Sequence, residues 1–311
     1  MNSIRYHPFG SRVIRAFAIP LYRLSRWLVR QIQAKVKING GCVLYDGTEL
    51  LFPSNVGIGF SSSIYLKGTS GFEPHNWRVI KALAKTRNVL VDVGAHFGFY
   101  SVLAHKVNSS ITTLSFEPIP ELHNDCRRFH QANLAHGKFE IYNLALSDKS
   151  GQSTIYIPRG VRLTEVRSAS LQKEFFYNQQ FERDELVIQM TTWDEFVAQR
   201  GLNQFKGAET FLKIDVEGHE LAVLRGSQTY LRTERPFIVC EIDTAAENVD
   251  GLKGLLTPLG YNILAISPSG LFRMDFSDLS SYSGGRDFLL VPGVVRGYYS
   301  FQSIEQFAFE N

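Results

Sequence analysis

The chain has 311 residues, 44% hydrophobic and 20% charged, which suits one large α/β domain with an appendage and excludes a disordered or fibrous protein. Its net charge of +3 is a composite: residues 1–38 hold eight Lys/Arg and no Asp or Glu, leaving 25 basic against 30 acidic residues over 39–311. An acidic body argues against nucleic acid as the partner, because nucleic-acid readers place Lys and Arg around the site itself.

Residues 1–45 read as a basic amphipathic arm. On a helical wheel Arg12, Arg15, Arg23, Arg26 and Arg30 gather in one wedge, and Ile14, Phe17, Leu21, Leu24, Leu28 and Ile32 gather opposite. Pro20 kinks or divides this helix. Two readings stay open for residues 12–32. The stripe lies on an anionic membrane surface, or it packs on the body or a second subunit while the arginines face water. No apolar run approaches the ~20 residues of a membrane span. The short Ala16–Leu21 stretch, with arginines on both sides, does not make a signal peptide.

Residues 46–74 form a small β-rich prelude; Val43–Tyr45 at the end of the arm, then Glu49–Phe52 and Ser63–Leu66, are the β-like pieces of the stretch from Lys37 to Gly71. From residue 75 to 311 apolar strands alternate with amphipathic helices. A helix over His75–Lys85 precedes strand Val89–Gly94 and helix Tyr100–Val107. Strand Ile111–Glu117, helix Pro120–Leu134 and strand Phe139–Leu146 follow. An insertion of about 150–210 then breaks the rhythm. It contains Thr154–Ile157, the charged Arg159–Glu185, Leu186–Met190 and a helix at Trp193–Gln199 capped by Thr191 or Thr192. Strand Phe211–Asp215, helix His219–Leu231, strand Phe237–Ile242 and helix Asn248–Leu256 resume the alternation, and Tyr261–Ile266 with Phe288–Val291 complete it. This predicts a doubly wound, mostly parallel sheet with an antiparallel edge. Cys42, Cys126 and Cys240 are too scattered for a disulfide framework or zinc site and read as buried thiols of a reducing, cytoplasmic compartment.

Three strand ends carry chemistry. Val91–Tyr100 reads Val-Asp-Val-Gly-Ala-His-Phe-Gly-Phe-Tyr, a strand running through a glycine turn into a helix. Gly94 and Gly98 allow close backbone approach, the helix start favours an anion, and Asp92 can accept from a ligand amine. The spacing is not that of the dinucleotide fingerprint. Glu117 ends the next strand, 25 residues after Asp92, where an acid can accept from both ribose hydroxyls. Asp148, after the third strand, can reach an adenine amine. Together these describe an extended adenosine-containing ligand, although singly each is also an ordinary turn or surface acid. Phe211–Glu220 then presents Lys213, Asp215, Glu217 and His219 at one mouth. Strand alternation puts the first three on a common side.

Asp-Val-Gly-Ala-x-x-Gly, Phe-Glu-Pro, Ala-Leu-Ser-Asp and Leu-Lys-Ile-Asp-Val-Glu-Gly-His-Glu, in that order, resemble the FkbM-type S-adenosylmethionine-dependent methyltransferases. Thr192–Phe196 and Val223–Gly226 add to the match, which runs roughly from Gly71 to Pro292. The resemblance implies a class I, Rossmann-like methyltransferase fold over 75–311, with S-adenosylmethionine as cofactor. It implies that Asp92, Gly94, Ala95, His96 and Gly98 surround the methionine part, Glu117 the ribose, and Ala145 with Asp148 the adenine. Glu73 would close over the cofactor. His96 stands where the family usually has Asn. The implied reaction is methyl transfer to a hydroxyl of a sugar, glycolipid or related metabolite, with His219, Asp215 or Glu217 as the base and Lys213 stabilising oxyanion character. A divalent cation between Asp215 and the Glu241/Asp243 pair is a second route, though no tight ligand cluster is visible. The expected partner is a small-molecule or glycolipid acceptor, in the cytoplasm or at the inner face of a membrane. A nicotinamide-dependent oxidoreductase and a non-catalytic, membrane-tethered module on the same sheet are the competing readings.

Overall fold

The computed structural model describes residues 40–134, 137–158, 183–201, 205–295 and 297–300. The amphipathic stripe of 12–32 and residues 159–182 of the charged insertion lie outside the described residues. Among the described residues no helix is long and apolar enough to cross a membrane.

Strands β1 (Gly41–Tyr45) and β2 (Thr48–Phe52) pair as a tight hairpin that spans the arm–prelude division at residue 45. Its two-residue loop, Asp46-Gly47, has both residues at positive φ, the twist that suits a hairpin. Val43, Tyr45, Leu50 and Phe52 face the core. Helix α1 (Ile58–Lys67) follows, so the β-like reading of Ser63–Leu66 does not hold. A four-residue apolar–polar alternation is too short to separate a strand from one helix face. Ser61 and Ser62 donate their hydroxyls back to Ile58 O at 3.1 and 2.8 Å, which satisfies them inside a buried helix. Helix α2 (Pro74–Thr86) begins on Pro74, whose missing N–H costs nothing at that position.

The alternation expected from residue 89 onward is present as β3 (Val89–Val93), α3 (Phe99–Val107), β4 (Thr112–Phe116), α4 (Pro120–Asn133) and β5 (Lys138–Tyr142). After the insertion come β9 (Thr210–Ile214), α6 (Glu220–Arg225), α7 (Gln228–Thr233), β10 (Phe237–Glu241), α8 (Ala246–Leu256), β11 (Tyr261–Ser267), β12 (Gly270–Met274), β13 (Asp287–Pro292) and β14 (Tyr298–Ser300). They form one nine-stranded sheet in the order β14-β12-β11-β13-β10-β9-β3-β4-β5. The five strands from β10 to β5 are parallel. Alternate residues of β3 and β9 bury on opposite faces: Leu90 and Phe211 pack with α2 and α3, while Val91 and Leu212 pack with α6 and α7. That double burial accounts for the near-continuous apolar strands. Strand β13 is antiparallel to both β10 and β11 and lies between them, the fourth strand in from the β14 edge.

Two expected elements are divided. Residues 139–146 leave the sheet at Asn143, whose amide donates to Glu117 O and Pro118 O at 3.0 and 2.8 Å. The remainder, β6 (Ala145–Leu146), joins β7 (Gly151–Pro158) and β8 (Arg183–Thr191) in a separate small sheet made by the insertion. Helix α5 (Trp193–Arg200) follows, capped by Thr192 Oγ1 accepting from Glu195 N at 3.0 Å. The helix expected over 219–231 breaks between α6 and α7 at Gly226, where an added Cβ would lie 1.9 Å from Ser147 O. All three cysteines are free thiols; Cys126 and Cys240 are buried as expected, while Cys42 is half-buried.

Candidate active site

Strand order reverses between β3 and β9, and the carboxyl ends of β3, β4 and β9 open there onto a cavity of about 400 Å³. Open α/β sheets bind ligands at this crevice. The turn after β3 is clasped onto β4 by Gly94 N and Ala95 N, each donating to Phe116 O at 3.0 Å. Glu117 is 4% exposed, and its carboxylate is held by two main-chain donors: His96 N to Oε2 and Ile119 N to Oε1, both at 2.9 Å. Burial pushes its pKa up to about 7, against the pull of those two N–H groups. His96 lies at φ +53°, the left-handed region that Asn and His tolerate better than most residues. That is a physical reason for Asn or His at this position.

Gly94, Ala95, His96 and Glu117 line the cavity, as do Ala145, Glu73 and the Lys213, Asp215, Glu217 and His219 group. Asp92, Gly98 and Asp148 do not. Asp92 is 1% exposed; its Oδ2 accepts from Ser101 Oγ at 2.8 Å and its Oδ1 lies 3.7 Å from Lys213 Nζ. Gly98 serves packing, since a Cβ there would lie 2.4 Å from the His130 ring and 2.7 Å from Cys126 Sγ. Asp148 is exposed and accepts from Ser147 Oγ at 3.2 Å.

Lys213 is committed to its neighbours. Its Nζ sits 3.2 Å from Asp215 Oδ2, donates to Gly94 O at 3.4 Å, and lies 5.6 Å from the centre of the Tyr100 ring. Burial lowers its proton affinity, but Asp215 and Asp92 outweigh that and raise it. Burial likewise raises the Asp215 pKa, and Lys213 overrides it to keep that carboxylate ionised. Glu241, beside Asp215, is pushed up to about 9 by burial and by Asp215 itself, and pairs with Arg286 at 3.1 Å. Among the described residues, no group of three or more His, Cys, Asp or Glu side chains stands ready to hold a metal ion.

Several wall groups escaped the sequence reading. Tyr100 donates to Glu73 Oε2 at 2.6 Å, and behind the wall Asn76 donates to Glu73 Oε2 at 3.3 Å and to Asp287 Oδ1 at 2.7 Å. Phe60 and Phe72 of the prelude also line the cavity, with ring centres 4.8 Å apart. Arg286 and Asp287 had a readable signal. An antiparallel strand begins where its parallel neighbour ends, so the residues opening β13 stand opposite Glu241. What the sequence hid was that β13 pairs with β10.

The acids make a prediction about pH. Glu73 and Glu217, like Glu117, are pushed up to about 7, with burial the largest cause in each. Between pH 9 and 6.5 the unfolded chain has lost its carboxyl protons, while the folded chain takes them up as pH falls. Stability therefore rises as pH falls through this window. His75, His105, His123, His130 and His219 act the other way as pH falls toward their ordinary 6.5, because burial lowers each of them, and so they offset part of the rise at the acid end of the window. The urea midpoint of the cofactor-free protein is expected to climb from pH 9 to 6.5; a flat or opposite trend would mean these carboxyls ionise normally.

A parallel sheet that reverses order at β3/β9, carries an antiparallel strand inside β11, and holds an acid at the second strand end defines a class I methyltransferase fold. A model of the FkbM methyltransferase domain matches residues 92–273, more than half of the chain, and the chain belongs to that family. Its cofactor is S-adenosylmethionine. No curated protein matches the chain. Among solved structures, a methyltransferase FkbM from Methylobacillus flagellatus is similar at 15% identity and TM-score 0.39, over 78% of this chain and 54% of that one. This chain thus spans about half the length of that relative. An O-methyltransferase from Bacillus cereus in complex with SAH is similar at 9% identity and TM-score 0.38, covering 70% and 80% of the two chains. A SAM-dependent O-methyltransferase from Thermotoga maritima is similar at 10% and 0.38, covering 83% and 79%.

The cavity fits the cofactor's parts. Ile119, Leu122, Ala145 and Ile155 offer an apolar slot for a flat base, next to the anchored Glu117 for ribose hydroxyls. Gly94, at φ +73°, lets the turn pack directly against Asp215 O at the end of β9, where an added Cβ would lie 1.9 Å away. Glu73, Asp215, Tyr100 and Lys213 line another part of the wall, where the carboxyl groups would suit a cationic sulfonium and ammonium.

Proposed function

We propose that the protein is an O-methyltransferase acting on a hydroxyl of a sugar, a glycolipid or a related hydroxylated metabolite, with His219 as the general base. The observation that carries this reading is the imidazole in the cavity wall with its proton affinity lowered, chiefly by burial and with partial opposition from Asp148. A ring kept neutral at pH 7 is ready to take a hydroxyl proton. S-adenosylmethionine, when bound, supplies a methyl on a sulfonium that is already an excellent leaving group. What the chain adds is alignment of the acceptor oxygen, ~7–11 kcal/mol at best, and proton removal, ~10²–10⁴-fold. Glu117 holds the ribose, and Glu73 with Asp215 favours the cationic end. Residues 159–182 and the arm at 12–32 are proposed to bear on acceptor choice and on contact with a membrane surface.

Two variants test the reading. Glu117→Ala is expected to weaken S-adenosylhomocysteine binding by about 100-fold or more, since two charge-assisted hydrogen bonds are worth ~1.5–3 kcal/mol each. Undiminished affinity by calorimetry would remove the ribose assignment. His219→Ala is expected to leave that affinity intact and cut turnover, read as S-adenosylhomocysteine release against a panel of glycan and glycolipid acceptors, by ~10²-fold or more. An unchanged rate would remove His219 as base.

A further inference from the structure

Ser147 sits at the end of β6, where the chain passes from the small sheet to the cavity rim. Its placement is fixed from both sides. Ser147 N donates to Thr191 O at 2.9 Å, and Gly226 packs so close that a Cβ there would lie 1.9 Å from Ser147 O. The residue is 1% exposed. Its hydroxyl meets two groups: Asp148 Oδ1 at 3.2 Å and His219 Nε2 at 2.9 Å.

A hydroxyl has one proton to give and lone pairs to receive with. A carboxylate can only accept, so the Ser147 proton goes to Asp148. The Oγ then faces Nε2 with a lone pair, and a hydrogen bond forms only if Nε2 carries hydrogen. The opposite arrangement, with Ser147 donating to Nε2, would set a carboxylate oxygen against a hydroxyl lone pair. The neutral ring has one proton, so hydrogen on Nε2 leaves the lone pair on Nδ1. We propose that Ser147 and Asp148 are positioning residues that hold His219 in the Nε2–H tautomer, making Nδ1 the nitrogen that takes the acceptor's proton. This rests on His219 being the base. It also gives the exposed Asp148 a task other than holding adenine. Lys149 is the other charged group acting on the ring, and it opposes Asp148.

The tautomer can be read without any acceptor. In 15N-labelled full-length protein with S-adenosylhomocysteine bound, long-range 1H–15N correlation spectra assign the protonated ring nitrogen of His219. The neutral ring is expected to be protonated at Nε2. Asp148→Ala frees the Ser147 proton to turn toward Nε2 and should lower that preference about fivefold or more, the size of one hydrogen bond. Ser147→Ala should lower it similarly while leaving S-adenosylhomocysteine affinity unchanged, and Ser147→Thr should restore it. A wild-type ring protonated at Nδ1, or an unmoved preference in both alanine variants, would overturn the proposal. An unaffected turnover of His219→Ala would remove the base reading instead, with the tautomer result still standing, so the two failures are distinguishable.

Discussion

Gly94→Ala is expected to destabilise the protein by several kcal/mol and to abolish S-adenosylhomocysteine binding. The residue sits at φ +73°, and its added Cβ would lie 1.9 Å from Asp215 O and 3.0 Å from Asp215 C. Left-handed backbone costs an alanine ~1–2 kcal/mol. Overpacking against main chain, which cannot swing aside as a side chain would, adds ~1–3 kcal/mol. Relief requires β3 and β9 to part at their carboxyl ends. They are held there by Asp215 N donating to Val93 O at 3.1 Å and by Lys213 bridging to Gly94 O. The crevice is the seam between those two strands, so stability and binding should fall together. Urea unfolding and calorimetry measure the two. A variant that unfolds like the parent, or binds like it, would show that the seam widens without cost.

The same seam explains what was legible in the sequence. Apolar strands and their helices were readable because both faces of the sheet are buried, which leaves long hydrophobic runs. The motif residues at the ends of β3, β4 and β9 were readable because parallel strands all end at one edge. Pairing order was not. The place of β13 beside β10, which brings Arg286 and Asp287 to the site, depends on contacts across 46 or more positions in the chain, from Glu241 to Asp287. No local pattern encodes that. The prelude was hard for another reason. Phe60 reaches the cavity from helix α1, which the sequence pattern does not mark as one, and Phe72 and Glu73 reach it from the irregular residues before α2, Glu73 at φ +29°. His96 and Glu217 share such positive φ values at the same cavity. Strain of this kind persists only where surroundings impose it, and it leaves no periodic trace in sequence.

Lys213→Met is the substitution expected to separate charge from packing at the site. Methionine keeps the length of the side chain and removes the ammonium that lies 3.7 Å from Asp92 and 3.2 Å from Asp215. The Lys213 side chain is 8% exposed and Asp92 is 1% exposed, so solvent screens Asp92 weakly once the cation is gone. Removing one member of such a buried group costs ~3–5 kcal/mol, because the partner charge is left uncompensated. The pH dependence fixes the cause. Burial already raises the Asp92 pKa, and Lys213 is the largest influence holding it down. Without Lys213, Asp92 keeps its proton to higher pH in the folded chain than in the unfolded one, so the variant regains stability on acidification. The loss should therefore be larger at pH 8 than at pH 5, read as the difference in urea midpoints. A loss that is equal at both pH values would point to packing alone. Lys213→Arg should not rescue, since a planar guanidinium has different reach and donor geometry from a compact ammonium in the same enclosed space. Full rescue by arginine would mean that only net charge matters here. The expected failure places Lys213 as a residue that fixes Asp92, Asp215 and Gly94 relative to one another at the mouth of the β3–β9 seam.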